Sequence, residues 1–279
     1  MRRTSKVADD HARASLSAHQ HSPDECAALT LTHVSADYGK DRPALEDVSF
    51  TIACGERAAV VGPNGAGKST LFKVIVGLMP HTTGDVWVHG HSHHAGDCPS
   101  IGYVPQREGV DWNFPLTVLD VALMGRVKEI GWLRRPHRAD RETALAALRQ
   151  VGMEKLASRH IGALSGGQQQ RMFIARALAQ GADVLLLDEP FSGVDVEAET
   201  AIFELLDNLR ARGVTVLIST HDLQTATTRF DRLLLLNRRL LADGPAESIL
   251  TPENLAAAYG GRLTFWRDGQ AVTVAADEC

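Results

Sequence analysis

The residues best suited to chemistry in this 279-residue chain are one glycine-rich string and one pair of carboxylates. Gly62-Pro63-Asn64-Gly65-Ala66-Gly67-Lys68-Ser69-Thr70 fits G-x-x-x-x-G-K-[ST], a loop that wraps phosphate. A triphosphate packs several negative charges into a small volume. The backbone N–H groups of such a loop, with a helix N-terminus behind them, offer oriented donors for it. Gly62, Gly65 and Gly67 permit the turns that bring the backbone close. Lys68 supplies a point charge for the β and γ phosphates, and Ser69 a hydroxyl for Mg²⁺. Downstream, Val184-Leu185-Leu186-Leu187 runs into Asp188-Glu189. Asp188 suits the Mg²⁺ shell, directly or through water, and Glu189 is placed to take a proton from an attacking water. An isolated Asp-Glu pair is commonly a solvated strand end. Its position after an apolar strand, downstream of a phosphate loop, favours the chemical reading.

These groups need a strand, a loop and a helix to hold them, and the pattern provides that order. Arg57-Ala58-Ala59-Val60-Val61 reads as a buried central strand. Lys68 to Leu78 has helical spacing, with Leu71, Val74, Ile75 and Leu78 on one side. Ahead of them, Leu29 to Ser35 and Val48 to Ile52 alternate as half-buried strands do. Val86-Trp87-Val88 and Ile101 to Val104 are further short strands. Residues from about 107 to 179 are mostly helical by pattern. Then come strand (Val184 to Leu187), helix (Glu197 to Arg212), strand (Val214 to Ser219), helix (Leu223 to Phe230) and strand (Arg232 to Leu236). That alternation predicts a mostly parallel sheet covered by helices. Residues 1–27 lack apolar periodicity and read as a disordered tail. The stretch from 246 to 279 reads as a short helical and strand appendage.

Bulk properties narrow the classes. The chain is 44% hydrophobic, enough for a sizeable core. A formal net charge of -5 argues against broad nucleic-acid binding. No stretch approaches the ~18 apolar residues that span a bilayer, and the basic start, Arg2-Arg3, is followed by no apolar segment of the signal type. Cys26, Cys54, Cys98 and Cys279 are scattered, a spacing that suggests reduced thiols. His81, His89, His91, His93 and His94 lie close together with Asp97 and Cys98 beyond; such a tract could bind a metal ion or simply be solvated.

A second string, Leu164-Ser165-Gly166-Gly167-Gln168-Gln169-Gln170-Arg171, sits between the phosphate loop and Asp188. The combination resembles the ATP-binding-cassette family from about residue 29 to about 245. The resemblance implies an α/β P-loop NTPase of that type: a RecA-like, mostly parallel sheet core, an antiparallel β subdomain and a helical subdomain inserted at about 107–179, all within 28–245. It implies ATP and Mg²⁺, and positions for further residues. Tyr38 corresponds to the aromatic that stacks on adenine. Gln106, after Tyr103-Val104-Pro105, corresponds to a glutamine that touches Mg²⁺ or water and senses a membrane partner. Asp195, in Ser192-Gly193-Val194-Asp195, is expected to reach across a dimer. His221 is expected to contact the γ-phosphate. Ser165, Gly166, Gly167 and Gln168 of one copy would close on the ATP of another.

The segment from Arg107 to Arg126 and the string Phe191 to Asp195 are similar to the cassettes of manganese, zinc and iron importers. That implies an ATPase subunit at the cytoplasmic face of a membrane, working with separate permease subunits, with a second copy of itself and indirectly with an extracytoplasmic metal-binding protein, and with no nucleic acid. Trp112, Phe114, Leu116 and Val118 could form a groove for a permease helix, or be ordinary core. Another cargo is the alternative. A soluble cassette acting on ribosomes or DNA fits less well with the acidic balance and the lack of a long coiled-coil insertion.

Overall fold

The structure, a computed structural model, describes residues 26–39, 43–92, 100–106, 110–131, 134–260, 263–267 and 270–274. Of the 1–27 segment expected to be a disordered tail, residues 1–25, with His11, His19 and His21, lie outside them, whereas Cys26 and Ala27 are described; His93, His94, Asp97, Cys98, Cys279 and residues 107–109 also lie outside.

The chain opens with β1 (Ala27–Asp37), β2 (Pro43–Ala53) and β3 (Arg57–Val61), then α1 (Lys68–Ile75), β4 (Thr83–Val88), β5 (His91–Ser92) and β6 (Ile101–Val104). A helical region follows: α2 (Val118–Met124), α3 (Val127–Ile130), α4 (Arg138–Gln150) and α5 (Gly166–Ala179). Then strands and helices alternate: β7 (Val184–Asp188), α6 (Val196–Arg210), β8 (Thr215–Thr220), α7 (Leu223–Arg229), β9 (Arg232–Asn237) and β10 (Arg239–Gly244). Two short helices, α8 (Ala246–Ile249) and α9 (Pro252–Tyr259), and a hairpin of β11 (Leu263–Arg267) and β12 (Gln270–Val274) close it.

The central sheet has the order β10-β9-β3-β8-β7-β6. All its neighbours pair parallel except β10, an antiparallel edge. A second, antiparallel sheet has the order β2-β1-β4-β5. This is the expected parallel core with an antiparallel subdomain. Both faces of the central strands are buried, so they read as continuous apolar runs. Ala58 and Val60 face the antiparallel sheet and α1, whereas Ala59 and Val61 face the helices on the other side. Leu185 and Leu187 share that second core with Met172, Ile174 and Phe203. Ile249, Leu250, Leu255 and Ala258 of α8, α9 and their connection join it too.

The first helix is shorter than its apolar spacing predicts. It ends at Ile75, and Leu78 is 68% exposed rather than buried beside Leu71 and Ile75. Gly77 takes φ +72°, and the N–H groups of Gly77 and Leu78 close on the carbonyls of Val74 and Lys73. That left-handed glycine stop overrides the hydrophobic period. The 107–179 region is helical only in pieces, and α2 and α5 each begin with a capping box, Thr117 with Asp120 and Ser165 with Gln168.

Candidate functional site

The phosphate loop connects β3 to α1. Tyr38, Asn64 to Thr70, Gln106, Glu189 and Arg238 line one cleft of about 370 Å³. Gly67 is the N-cap of α1 and takes φ +97° with no side-chain cap, which leaves the first amides of the helix facing outward as donors. A Cβ there would lie 2.6 Å from the carbonyl oxygen of Ala44, so both the φ and the space require glycine. Lys68 is buried, and its Nζ donates to the carbonyls of Gly62 at 2.9 Å and Pro63 at 3.0 Å. Burial lowers its pKa, while the nearby carboxylates of Glu189 and Asp188 pull it back up. The Tyr38 hydroxyl is 2.9 Å from Thr70 Oγ1, and its ring stands 66% exposed at the lip of the cleft.

The carboxylates at the end of β7 divide. Asp188 is buried and accepts from Ser219 Oγ at 2.5 Å and from the Tyr103 hydroxyl at 3.2 Å. Burial, then the Asp188 charge, raises the Tyr103 pKa. Glu189 turns the other way, into the cleft, because its backbone takes φ +46°. A left-handed non-glycine residue of this kind costs about 1–3 kcal/mol and persists only where its surroundings hold it. Here the Glu189 N–H donates to Ser219 O at 3.2 Å and to Ser219 Oγ at 3.0 Å. Its two carboxylate oxygens then reach Lys68 Nζ at 3.9 Å and His221 Nδ1 at 3.3 Å. His221 lines an adjoining cavity of about 280 Å³ with Glu189, Phe191, Ser192 and Gly193.

One strand end thus brings Lys68, Asp188, Glu189 and His221 together, with Ser69 and Gln106 on the cleft wall. The arrangement presents oriented amides and an ammonium for an anion, hard oxygen donors for a cation, and a carboxylate braced on both sides. The loop signature is elsewhere. Ser165 and Gln168 bond reciprocally at the start of α5, Ser165 N to Gln168 Oε1 at 3.1 Å and Gln168 N to Ser165 Oγ at 3.4 Å. None of residues 165–168 is among those lining the cleft. Asp195 caps α6, accepting from Ala198 N at 2.8 Å.

Three contributors were not legible as site residues. Ser219 and Tyr103 hold Asp188, and Arg238 buttresses the loop: its N–H donates to Ala66 O at 2.8 Å, and its carbonyl accepts from Glu46 N at 2.8 Å. A serine inside an apolar strand, fully buried, is the one signal that could have pointed to Ser219. Of the aromatic and apolar segment, Val118 is core, Trp112 and Leu116 pack against it, and Trp112 meets Phe173 edge-on at 6.0 Å. Phe114 alone of the four is largely exposed. A groove lined by Leu123, Met124, Val127 and Ile130, with Asp120 and Arg134 on its walls, includes none of Trp112, Phe114, Leu116 and Val118. The cysteines also depart from expectation: Cys26 and Cys54 are joined in a disulfide. The β1–β2 register sets Ala27 opposite Ala53 and so brings the two cysteines beyond them together, which their sequence spacing does not reveal.

Comparison with known proteins agrees with the geometry. The family described as ABC transporter matches residues 45–192. The manganese transport system ATP-binding protein MntB of Bacillus subtilis is 52% identical over 240 residues, covering 86% of this chain and 95% of that protein. The zinc transport system ATP-binding protein TroB of Treponema pallidum is 49% identical over 225 residues, covering 81% of this chain and 84% of that one. The dimeric structure of MJ0796, a bacterial ABC transporter cassette, superposes with a TM-score of 0.66 at 29% identity, over 78% of this chain and 98% of that one. With its phosphate loop, its Ser165-Gly166-Gly167-Gln168 signature and its paired carboxylates on this fold, the chain belongs to the ABC transporter family as one of its nucleotide-binding ATPase cassettes.

Proposed function

We propose that this cassette energises a membrane importer of divalent metal ions, with manganese the favoured cargo and zinc or iron the alternatives. The observation that carries the cargo is the likeness to manganese and zinc transport ATP-binding proteins at 52% and 49% identity. Within the chain, 28–245 is the ATPase unit, 107–179 its helical subdomain and 246–279 an appendage.

ATP lies with its triphosphate against the amides of Gly65, Gly67, Lys68, Ser69 and Thr70 and its adenine toward the exposed ring of Tyr38. Lys68 exchanges its two loop carbonyls for β and γ phosphate oxygens. The Ser69 hydroxyl and the Gln106 amide oxygen, on the cleft wall, would be hard oxygen donors for Mg²⁺, and the Asp188 carboxylate, buried behind them with Ser219 and Tyr103, would reach it directly or through water. When bound, the ion neutralises phosphate charge. The Glu189 carboxylate accepts a proton from the attacking water, and His221, on its far oxygen, keeps it aimed and faces the γ-phosphate.

The site is completed by a second copy of the chain. In a head-to-tail dimer, Ser165, Gly166, Gly167 and Gln168 of one copy close on the ATP held by the other, and Asp195 reaches across. The groove at Leu123, Met124, Val127 and Ile130 receives a helix of a permease subunit. The cassette works at the cytoplasmic face of the membrane, and an extracytoplasmic binding protein delivers the metal to the permease. Among the described residues no helix is long and apolar enough to cross the membrane, in keeping with a separate pore.

Elemental analysis of cells grown under metal limitation tests the cargo, with the native chain or Glu189→Gln in its place. Loss of manganese alone in the variant is the expected result. Unchanged manganese, zinc and iron would overturn the metal reading.

A further inference from the structure

Far from the cleft, a group of soft ligands converges at the opposite end of β7. Cys26 precedes β1 and Cys54 follows β2; the Cys54 N–H donates to the Cys26 carbonyl at 2.8 Å, and their Cα atoms are 5.4 Å apart. Strand β4, on the other side of β1, delivers His89, whose N–H donates to the Ala28 carbonyl at 3.1 Å. With φ +48° at His89, the ring returns over the cysteines and Nδ1 lies 3.9 Å from Cys54 Sγ. Both sulfurs and a ring nitrogen of His89 lie within 4.8 Å of one another. The other ring nitrogen, Nε2, is 3.0 Å from Asp183 Oδ1, on the residue just before β7.

We propose that Cys26, Cys54 and His89 form a zinc site, with Asp183 holding His89, that is available when the two cysteines are reduced. A proton on Nε2, bonded to Asp183, leaves Nδ1 with its lone pair toward the sulfurs. This is the carboxylate–histidine pairing that orients metal-binding imidazoles. Tetrahedral zinc with bonds near 2.3 Å to sulfur and 2.0–2.1 Å to nitrogen separates its ligands by about 3.5–3.8 Å. The 3.9 Å between Nδ1 and Cys54 Sγ is already close to that. Two thiolates and an imidazole select zinc over manganese or magnesium, which take oxygen ligands. Three protein ligands leave a fourth position for water.

Reduction uses two equivalents of a small-molecule thiol. The first attacks one protein sulfur and forms a mixed disulfide; the second resolves it, giving two protein thiols and a small-molecule disulfide. Zinc then displaces the two thiol protons. The site fastens the antiparallel sheet to the start of the strand that ends in Asp188, and it stands independently of the transport reading.

Cobalt(II) reports it, because thiolate-to-cobalt charge transfer absorbs in the near ultraviolet and no cysteine is among the described residues that line the nucleotide cleft. The full chain carrying Cys98→Ser and Cys279→Ser, reduced with a phosphine, is titrated with cobalt and then zinc. The expected result is a charge-transfer band that saturates at one equivalent, is abolished by zinc and is absent in Cys54→Ser. Cobalt affinity falls at least tenfold in His89→Ala and by about 10–100-fold in Asp183→Asn. A reduced protein without the band, a band that survives Cys54→Ser, or an unchanged affinity in His89→Ala would each overturn the proposal.

Discussion

Ser219 is the residue on which both carboxylates at the end of β7 depend, and Ser219→Ala measures that dependence. Its Oγ donates to Asp188 at 2.5 Å and accepts from the Glu189 amide at 3.0 Å, with no exposure to solvent. A hydrogen bond to a charged group contributes about 1.5–3 kcal/mol, and its loss here leaves a buried carboxylate under-satisfied. Ser219→Ala is therefore expected to cost about 2 kcal/mol, roughly a thirtyfold change in the folding equilibrium constant. Tyr103→Phe removes a longer, half-buried bond of 3.2 Å to the same carboxylate and is expected to cost about 1 kcal/mol. Because the two share Asp188, the double variant should depart from additivity by at least about 0.5 kcal/mol. Urea unfolding of the four proteins of this cycle, followed by circular dichroism, gives all three numbers. A Ser219→Ala protein within about 0.5 kcal/mol of the parent, in the range of ordinary surface substitutions, would refute the reasoning.

Three further outcomes follow from the same geometry. Glu189→Gln keeps the size of the side chain but cannot take a proton, so ATP turnover should fall by about 10²–10⁴ while ATP still binds and holds the dimer closed; a wild-type rate would remove Glu189 as the base. Gly67→Ala combines φ +97° with a Cβ 2.6 Å from the Ala44 carbonyl, and should destabilise the fold by about 1–3 kcal/mol and weaken nucleotide binding measured by fluorescence titration. Lys68 and Tyr103 should oppose one another in alkali. The folded Lys68 pKa lies below 10.5, so the unfolded chain holds more protons there and stability rises with pH up to 10.5; the folded Tyr103 pKa lies above 10.0, so stability falls as pH passes 10. Urea midpoints of Lys68→Met and Tyr103→Phe against the parent, from pH 8 upward, should diverge in opposite directions.

The phosphate loop and the Asp188-Glu189 pair were legible in the sequence because chemistry there needs fixed residue types at short, local spacing. The alternation of apolar runs and amphipathic helices likewise disclosed the parallel sheet, since burial on both faces leaves a strand no polar side. What escaped depends on contacts between distant residues. Ser219 is 31 positions from the carboxylate it holds, and Tyr103 is 85. Neither residue type is unusual where it stands. Strand β10 and the buttress at Arg238 were missed for the same reason, as a six-residue edge strand with partly exposed side chains has little period to read. Leu78 went the other way: its spacing suited the helix, but one glycine in the left-handed conformation ended the helix first. The disulfide needed strand register, which spacing along the chain does not encode.

The geometry also bears on where the free energy of ATP is spent. The phosphate loop is already braced within one chain: Ala66 is tied through Arg238 to Glu46, and Glu189 is held by Ser219 and His221, so that Lys68, on two loop carbonyls, is the group with contacts to exchange. A ligand can shift a conformational equilibrium only through contacts that differ between the two states. A cradle that binds triphosphate with little rearrangement supplies affinity but little of that difference. The capping box at α5 occupies Ser165 Oγ and the Gln168 amide, while the amides of Gly166 and Gly167 precede the first intrahelical bond. In the proposed head-to-tail dimer, a γ-phosphate held by the other copy would meet the start of α5 at these amides. Its removal by hydrolysis would cost the closed dimer those contacts while leaving each cradle intact. In that proposed dimer, work would be extracted at the surface between the two copies, and the proposed base Glu189 would time its release.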